Sequence, residues 1–377
     1  MSKGLEVYFA KHAWENTTLP DFVGALEDAM KASGDASLGQ DFSLTDWCDC
    51  WLNTSGINTL EPVVEVENGQ LKSLKVKQGM GLKGKNRLRL QKLDVAIYEA
   101  AGGGDPVVVR GVVVGDKNEL TDIDISQLPG DFQYGGVFVN EGEHAYAKVR
   151  FDSQSVDWFT QNLSTVKDAV TRAAIHRYFW MLLIDKKMSP LKYIEFVQKQ
   201  LPAETVEQIL QVSLMNLKAL IAAYVPLDVV GEKKDALFNT LLTLLQKDGV
   251  NKDPIVDQLF GFLSSKENVQ AALGWLETGK ITVGDAALYD ITTNHKHTIL
   301  KMLFKSKDFQ TTDKMELLEL TLGDEKSDLA DRTRATCMAS LPDPDVKAQI
   351  WKDLTDPANT ESKYMKSAKM QGFYAQN

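Results

Sequence analysis

Through residues 1–57 the apolar positions recur every three or four residues, the period of helices with one buried face. Leu5, Tyr8, Phe9 and His12 lie at i, i+3, i+4 and i+7. Phe22, Leu26, Ala29 and Met30 form a second stripe, and Leu44, Trp47, Cys48, Trp51 and Leu52 a third. A capping signal precedes each later stripe. Thr18 stands three residues before Asp21, and Ser43 three before Asp46, so a side-chain oxygen meets the free N–H groups at the positive helix end. Gly56 occupies the position expected of a C-terminal cap. Three short helices are predicted, too few to stand as a domain.

From Asn58 the period becomes two. Val63, Val64 and Val66 lead to Asn68-Gly69, the strongest short-range hairpin signal, and then to Leu74 and Val76. Leu88 and Leu90 alternate with charged neighbours, whereas Leu93, Val95 and Ile97 continue in the opposite phase; such a slip predicts a bulge. Gly102-Gly103-Gly104-Asp105-Pro106 reads as a turn before the valine-rich run Val107 to Val114. Val137 to Val139 and Ala145 to Phe151 complete about seven strands, so residues 58–151 are expected to form a small antiparallel β-sandwich. Residues 152–377 read as helix throughout, with starts near Ser189-Pro190, Pro202 to Glu204, Asp253-Pro254, Ser265, Asp313, Asp324 and Asp343-Pro344 and no strand pattern between them. A succession of helix pairs fits an all-α, superhelical, HEAT-like solenoid, with a compact bundle as the alternative. The fold class is therefore α+β multidomain: a short helical segment, a sandwich, then a solenoid.

Composition narrows the function classes. Net charge is -10 over 377 residues and the pI is about 5.2, which argues against a nucleic-acid binder, since phosphate contacts need clustered Lys and Arg. The longest apolar run, Tyr178 to Ile184, falls far short of the roughly 20 residues that span a bilayer. The opening residues hold no basic stretch followed by an apolar one, so a secretory signal is not expected. Three cysteines, Cys48, Cys50 and Cys337, cannot make a disulfide framework and fit a reducing compartment, so a cytoplasmic location is expected.

Candidate chemistry is sparse. A hydrolytic zinc site needs two His at helical spacing, a carboxylate and a general base. His12 precedes Ala13-Trp14-Glu15-Asn16, and Trp180 stands four residues beyond His176, so neither has a partner ligand. His295 and His297 point to opposite sides of a helix and are expected on its solvated surface. Cys48 and Cys50 lack C-x-x-C spacing; Cys48 is expected in the core, Cys50 at the surface, and Cys337 as packing. Gly79-Met80-Gly81-Leu82-Lys83-Gly84-Lys85 lacks the spacing of a phosphate loop. Neither a catalytic residue nor a metal or cofactor ligand is assigned.

Several segments in one order resemble the zinc aminopeptidases of the aminopeptidase N family. Gly4 to Met30 is similar to the end of that family's catalytic domain, and Asp46-Trp47 with Trp51 to Leu60 to its W-x-x-x-W-L-x-T-x-G-x-N-x-L segment. Arg87 to Tyr98 resembles a sandwich strand with an L-R-x-H-R-like sequence, without the histidine. Ala145 to Asp152 is similar to the exit from the sandwich. Arg172-Ala173-Ala174 with Trp180-Met181-Leu182, and Asp331 to Ala335 with Leu341-Pro342-Asp343, resemble the helical domain named after endoplasmic-reticulum aminopeptidase. The resemblance implies a zinc-dependent activity whose H-E-x-x-H domain has no counterpart in this polypeptide, and a helical domain truncated at its C-terminal end. In such proteins the helical domain encloses the far end of a peptide, which makes Arg172, Arg177, Arg332 and Arg334 the candidate peptide or partner contacts, a guanidinium fork gripping a carboxylate bidentately. The leading expectation is a non-catalytic peptide- or protein-binding scaffold with a protein partner. The alternatives are part of an active zinc aminopeptidase whose catalytic domain lies upstream or on another chain, and a structural subunit of a larger complex.

Overall fold

The computed structural model describes residues 2–34, 42–80, 87–306, 309 and 311–374. Its chain divides into two compact units, residues 1–200 and 201–377. Three helices open the first: α1 (Ser2–Lys11), α2 (Leu19–Ser33) and α3 (Leu44–Leu52). The Thr18 backbone N–H and hydroxyl both donate to Asp21 Oδ2, at 2.8 and 2.7 Å. Ser43 Oγ accepts from the Asp46 N–H at 3.1 Å. Both helix starts therefore stand where the capping pattern puts them. The end of α3 does not: the helix stops at Leu52, the Asn53 N–H closes it on Asp49 O at 2.9 Å, and Gly56 turns the chain at φ +91° further on.

Two facing sheets follow, built from β1 (Thr59–Glu67), β2 (Gln70–Gly79), β3 (Gln91–Glu99), β4 (Val107–Val114), β5 (Leu120–Asp122), β6 (Tyr134–Glu141) and β7 (Lys148–Val149). Strand order is β5-β2-β1-β7 in one sheet and β4-β3-β6 in the other. Asn68 and Gly69 join β1 to β2 with φ of +51° and +79°, the left-handed pair that a two-residue hairpin turn requires. The ladders are antiparallel except at β7, which pairs parallel with β1. β3 does carry an irregularity, but not between Leu90 and Leu93 where the change of phase puts it: the register slips at Asp94 against both neighbours. Leu88 and Leu90 lie ahead of that strand rather than in it. Leu74, Val76, Val95, Ile97, Val137 and Val139 fill the space between the sheets, each worth about 1.5–3 kcal/mol when fully covered.

The helices α4 (Ser153–Asn162), α5 (Ala169–Ile184) and α6 (Pro190–Gln200) complete this unit. A Cβ on Gly135 of β6 would lie 2.7 Å from Glu99 O and 2.5 Å from Trp158 Nε1. Its absence lets α4 approach until the Trp158 indole donates to Glu99 O at 2.9 Å.

In the second unit the elements run α7 (Glu207–Ala223), α8 (Val230–Leu245), α9 (Asp253–Leu259), a 3-10 turn (Phe260–Phe262), α10 (Lys266–Thr278), β8 (Lys280–Val283), β9 (Ala286–Asp290), α11 (Thr293–Lys305), α12 (Thr311–Leu322), α13 (Asp328–Ser340), α14 (Pro344–Thr355) and α15 (Lys363–Phe373). The molecule is thus α+β, with a helical C-terminal part. The pairs α7 and α9, α11 and α13, and α13 and α15 pack together, the next-but-one order expected where helix pairs stack. Asp253-Pro254 and Asp343-Pro344 begin helices, and Ser265 caps one as expected. Two starts move: α7 begins at Glu207, beyond a 3-10 turn over Leu201–Ala203, and α13 begins at Asp328 with Ser327 as its cap. The hairpin β8–β9, turning at Gly284 with φ +58°, interrupts a stretch expected to hold no strand.

Candidate functional site

Helix α3 lies against the sandwich with its indoles toward the segment that precedes β3. The Trp47 Nε1–H donates to Leu90 O at 2.9 Å. Trp51, one turn on, stands 5.8 Å from Trp47 and 6.3 Å from Tyr146, centroid to centroid. Beneath Trp51 is Arg89, only 1% exposed, with its guanidinium 4.7 Å from the ring centroid. The fork is held by neutral oxygens: Asn58 Oδ1 at 2.5 Å, Thr54 Oγ1 at 2.8 Å, Thr54 O at 3.2 Å and Cys50 O at 3.4 Å. Arg89 so ties the end of α3 and the Thr54–Asn58 connection to the sandwich. Behind it Gln78, fully buried, donates to Arg89 O and Gly115 O and accepts from the Arg89 N–H.

This anchored helix forms one wall of an apolar groove of about 640 Å³, with Met30, Leu44, Leu52, Leu90 and Tyr146 along it. The Trp51 indole N–H is buried and has no acceptor among the described residues. Leu52 and Tyr146 are exposed, as are Phe9 and Leu19 on the neighbouring helices and Trp14 in the turn between them. In α1 and α2 only Gly4, Val23 and Ala25 are buried, and in α3 nothing is. A rim of polar groups lies on the sandwich side, where His144 Nε2 is 3.9 Å from Asp94 Oδ2. The Glu27 carboxyl is held below its ordinary range by the hydroxyl of Thr45 and by Lys31. Burial, aided by the charge of Glu27, pushes the Cys48 thiol up, so it packs as a protonated side chain rather than serving as a nucleophile. Cys48 and Cys50 are both half-buried; neither the full burial expected of the first nor the exposure expected of the second is found, because α3 covers one side of the groove only.

The four arginines do not meet in this groove. On α5, Arg172 reaches back to Val166 O and Lys167 O at 2.9 and 3.0 Å, and Arg177 bonds Glu143 and lies 4.8 Å over the Tyr178 ring. On α13, Arg332 pairs with Asp328 at 2.5 Å, while Arg334 holds Glu325 O and Gly323 O at 2.9 and 2.7 Å. The histidines of α11 are buried, contrary to the expected solvated surface. His295 Nε2 is 3.1 Å from Asp257 Oδ1, and His297, 1% exposed, bonds Thr333 Oγ1 through Nδ1 at 3.0 Å. A helix packed on two sides covers both directions at once. Among the described residues no group of three His, Cys, Asp or Glu side chains could hold a metal ion, and no described helix is long and apolar enough to cross a membrane.

Sequence reasoning saw the tryptophans as a packing stripe and passed over Arg89. The signal was present: a tryptophan pair at i, i+4 followed by Leu52, and one arginine between two leucines.

Residues 136–377 match the ERAP1-like C-terminal domain. Aminopeptidase N of Streptomyces lividans is 30% identical over 233 residues, which cover 59% of this chain and 25% of that protein. The crystal structure of Legionella pneumophila aminopeptidase A in complex with aspartic acid aligns over 98% of this chain and 44% of its own, with a TM-score of 0.50 and 14% sequence identity. The chain thus spans a quarter of the one relative and under half of the other; at that identity the second likeness concerns the fold alone.

Proposed function

The chain belongs to the family of the ERAP1-like C-terminal domain, and on that premise we propose that it is the non-catalytic, peptide- or protein-binding scaffold portion of an aminopeptidase N-like protein. One observation carries the reading: a groove of about 640 Å³, walled by a helix with no buried residue and holding a buried indole N–H without an acceptor. Exposed aromatic surface around an unpaired donor is the signature of a face meant to be covered. The proposed occupant is a protein partner, namely the zinc-bearing peptidase domain that such aminopeptidases possess. On this reading the chain supplies walls and docking surface, while zinc and the general base belong to the partner. Free thiols at Cys48, Cys50 and Cys337 favour the cytoplasm as its compartment. The test is hydrolysis of aminoacyl-p-nitroanilides by the purified chain with added zinc. No turnover is expected; turnover that tracks zinc held by the chain's own side chains overturns the proposal.

A second reading has its own support in the partial span of the Streptomyces relative: the chain is one piece of an active zinc aminopeptidase that removes N-terminal residues from peptides. Intact-mass measurement of the native protein separates the two. A single species carrying an H-E-x-x-H segment favours the enzyme, and a 41.9 kDa species the scaffold.

A further inference from the structure

Four lysines of the second unit gather around the 3-10 turn Phe260–Phe262, and Asp235 is the carboxylate that acts on one of them. Lys218 of α7 lies over that turn, where a Cβ on Gly261 would sit 3.4 Å from Lys218 Cε. Lys234 belongs to α8, and Lys301 and Lys305 to α11; both helices pack on the same turn. Lys301 and Lys305 are four residues apart, hence on one face of α11. Lys234, Lys301 and Lys305 are half-buried, and among the described residues none of the four forms an ion pair.

Their proximity is visible in their mutual influence. Burial, and after it the charges of Lys218, Lys301 and Lys234, hold the Lys305 ammonium below its ordinary range, against a weak opposing pull from Cys337. Lys301 is lowered by burial and by Arg332 of α13, Cys337 again opposing. Lys234 is lowered by burial, with Asp235 opposing. The Asp235 carboxylate is turned to the start of α10, its Oδ1 accepting from the Ser265 N–H at 3.1 Å and from Asn268 Nδ2 at 2.8 Å, and its charge offsets part of that of Lys234 alone. Burial pushes the Cys337 thiol up to about 12, so it stays protonated and gives Lys301 and Lys305 no more than that weak pull. Lys234 also sits in the opening turns of α8, the positive end of that helix. In a chain with an excess of carboxylates, a positive cluster without ion pairs costs stability, and costs of that kind collect at binding sites.

We propose that this cluster binds a small multivalent anion of the phosphate type. The residue choice sets the class. Ammonium groups on flexible stems suit a compact, densely charged ion, whereas planar carboxylates are gripped by guanidinium forks. The inference stands apart from the docking role of the first unit.

The test is calorimetric titration of the whole chain with inorganic tripolyphosphate. Saturable one-to-one binding is expected, weakening as salt is added. Lys301→Gln and Lys305→Gln should each weaken it about tenfold, while Lys305→Arg and, in the first unit, Lys187→Gln keep it. Because each glutamine removes like-charge repulsion, the ligand-free variants should melt above the parent, which distinguishes lost binding from lost folding. Absence of saturable heat, equal affinities for Lys187→Gln and Lys305→Gln, or binding of an oligoglutamate peptide in place of tripolyphosphate would each overturn the assignment.

Discussion

Replacing Arg89 with methionine keeps most of the stem and deletes the guanidinium, and the structure gives the size of the effect. Four hydrogen bonds are lost, two to Thr54 and one each to Asn58 and Cys50. Bonds from a charged donor contribute about 1.5–3 kcal/mol each when short, and a buried acceptor left unpaired costs about 1–3 kcal/mol. Against this stands the relief of desolvating a cation that has no carboxylate beside it. The Cys50 carbonyl keeps the Thr54 hydroxyl as its donor, whereas Asn58 Oδ1, at the entry to β1, loses the donor it had. One stranded acceptor and the lost stacking on Trp51 therefore leave a net loss of about 2 kcal/mol. With a urea dependence of about 2 kcal/mol per M, the midpoint of the first unit should fall by roughly 1 M. Two units preclude a single transition, so tryptophan fluorescence should be followed alongside far-ultraviolet circular dichroism. Trp51 and Trp47 should report the loosening first. Lysine at position 89 should recover less than half of the loss, having no fork to span Thr54 and Asn58. An unchanged midpoint in Arg89→Met would refute the reasoning, because it would mean that desolvation cancels the whole network.

Three further outcomes follow from particular contacts. Gly372→Ala should destabilise the second unit by about 2 kcal/mol in thermal melts, since the new Cβ would fall 2.2 Å from Thr336 O and 2.7 Å from Ala339 Cβ; an unshifted melting temperature would contradict that close approach of α13 and α15. Burial holds the His297 imidazole below its ordinary range, so below about pH 6.5 the unfolded chain binds a proton that the folded one refuses. Stability of the second unit should accordingly decline as pH falls through that window and hold constant above it, and His297→Gln should flatten the slope; the check is denaturation at a series of pH values. Leu52→Glu, on the exposed rim of the groove, should reduce light scattering by concentrated samples of the isolated chain, with little effect on its melting temperature.

Much of the fold is legible in the sequence, and the reasons are local. Asn68-Gly69, Thr18 with Asp21, and Asp343-Pro344 each satisfy backbone demands within a few residues, so reading them needs no tertiary knowledge. The bulge at Asp94 is not visible, because Leu93, Val95 and Ile97 keep one phase across it; the change of phase after Leu90 marks instead the point where β3 begins. What escapes is whatever depends on partners remote in sequence. Leu88 and Leu90 look like a strand until Arg89 between them proves to be the buried residue, held from positions 50, 54 and 58. The β8–β9 hairpin buries Ile281 alone among its residues, so almost no periodicity marks it. His295 and His297 point apart along α11, which suggests solvent for at least one of them; only the packing of α9 and α13 on either side reverses that inference. The groove is the hardest to foresee, because a tryptophan that lines an open cavity obeys the same i, i+4 spacing as one in a core.

The parallel rung between β1 and β7 has a bearing on the order of assembly. Thr59 and Lys148, its partners, lie about ninety residues apart, and loop closure on that scale is slow compared with formation of the neighbouring hairpin. During synthesis the outer flank of β1 therefore waits, its amide and carbonyl groups unmet, until nearly the whole sandwich has left the ribosome. A nascent chain halted before residue 148 should be a far better client for chaperones, and a readier seed for intermolecular pairing, than one halted a dozen residues later.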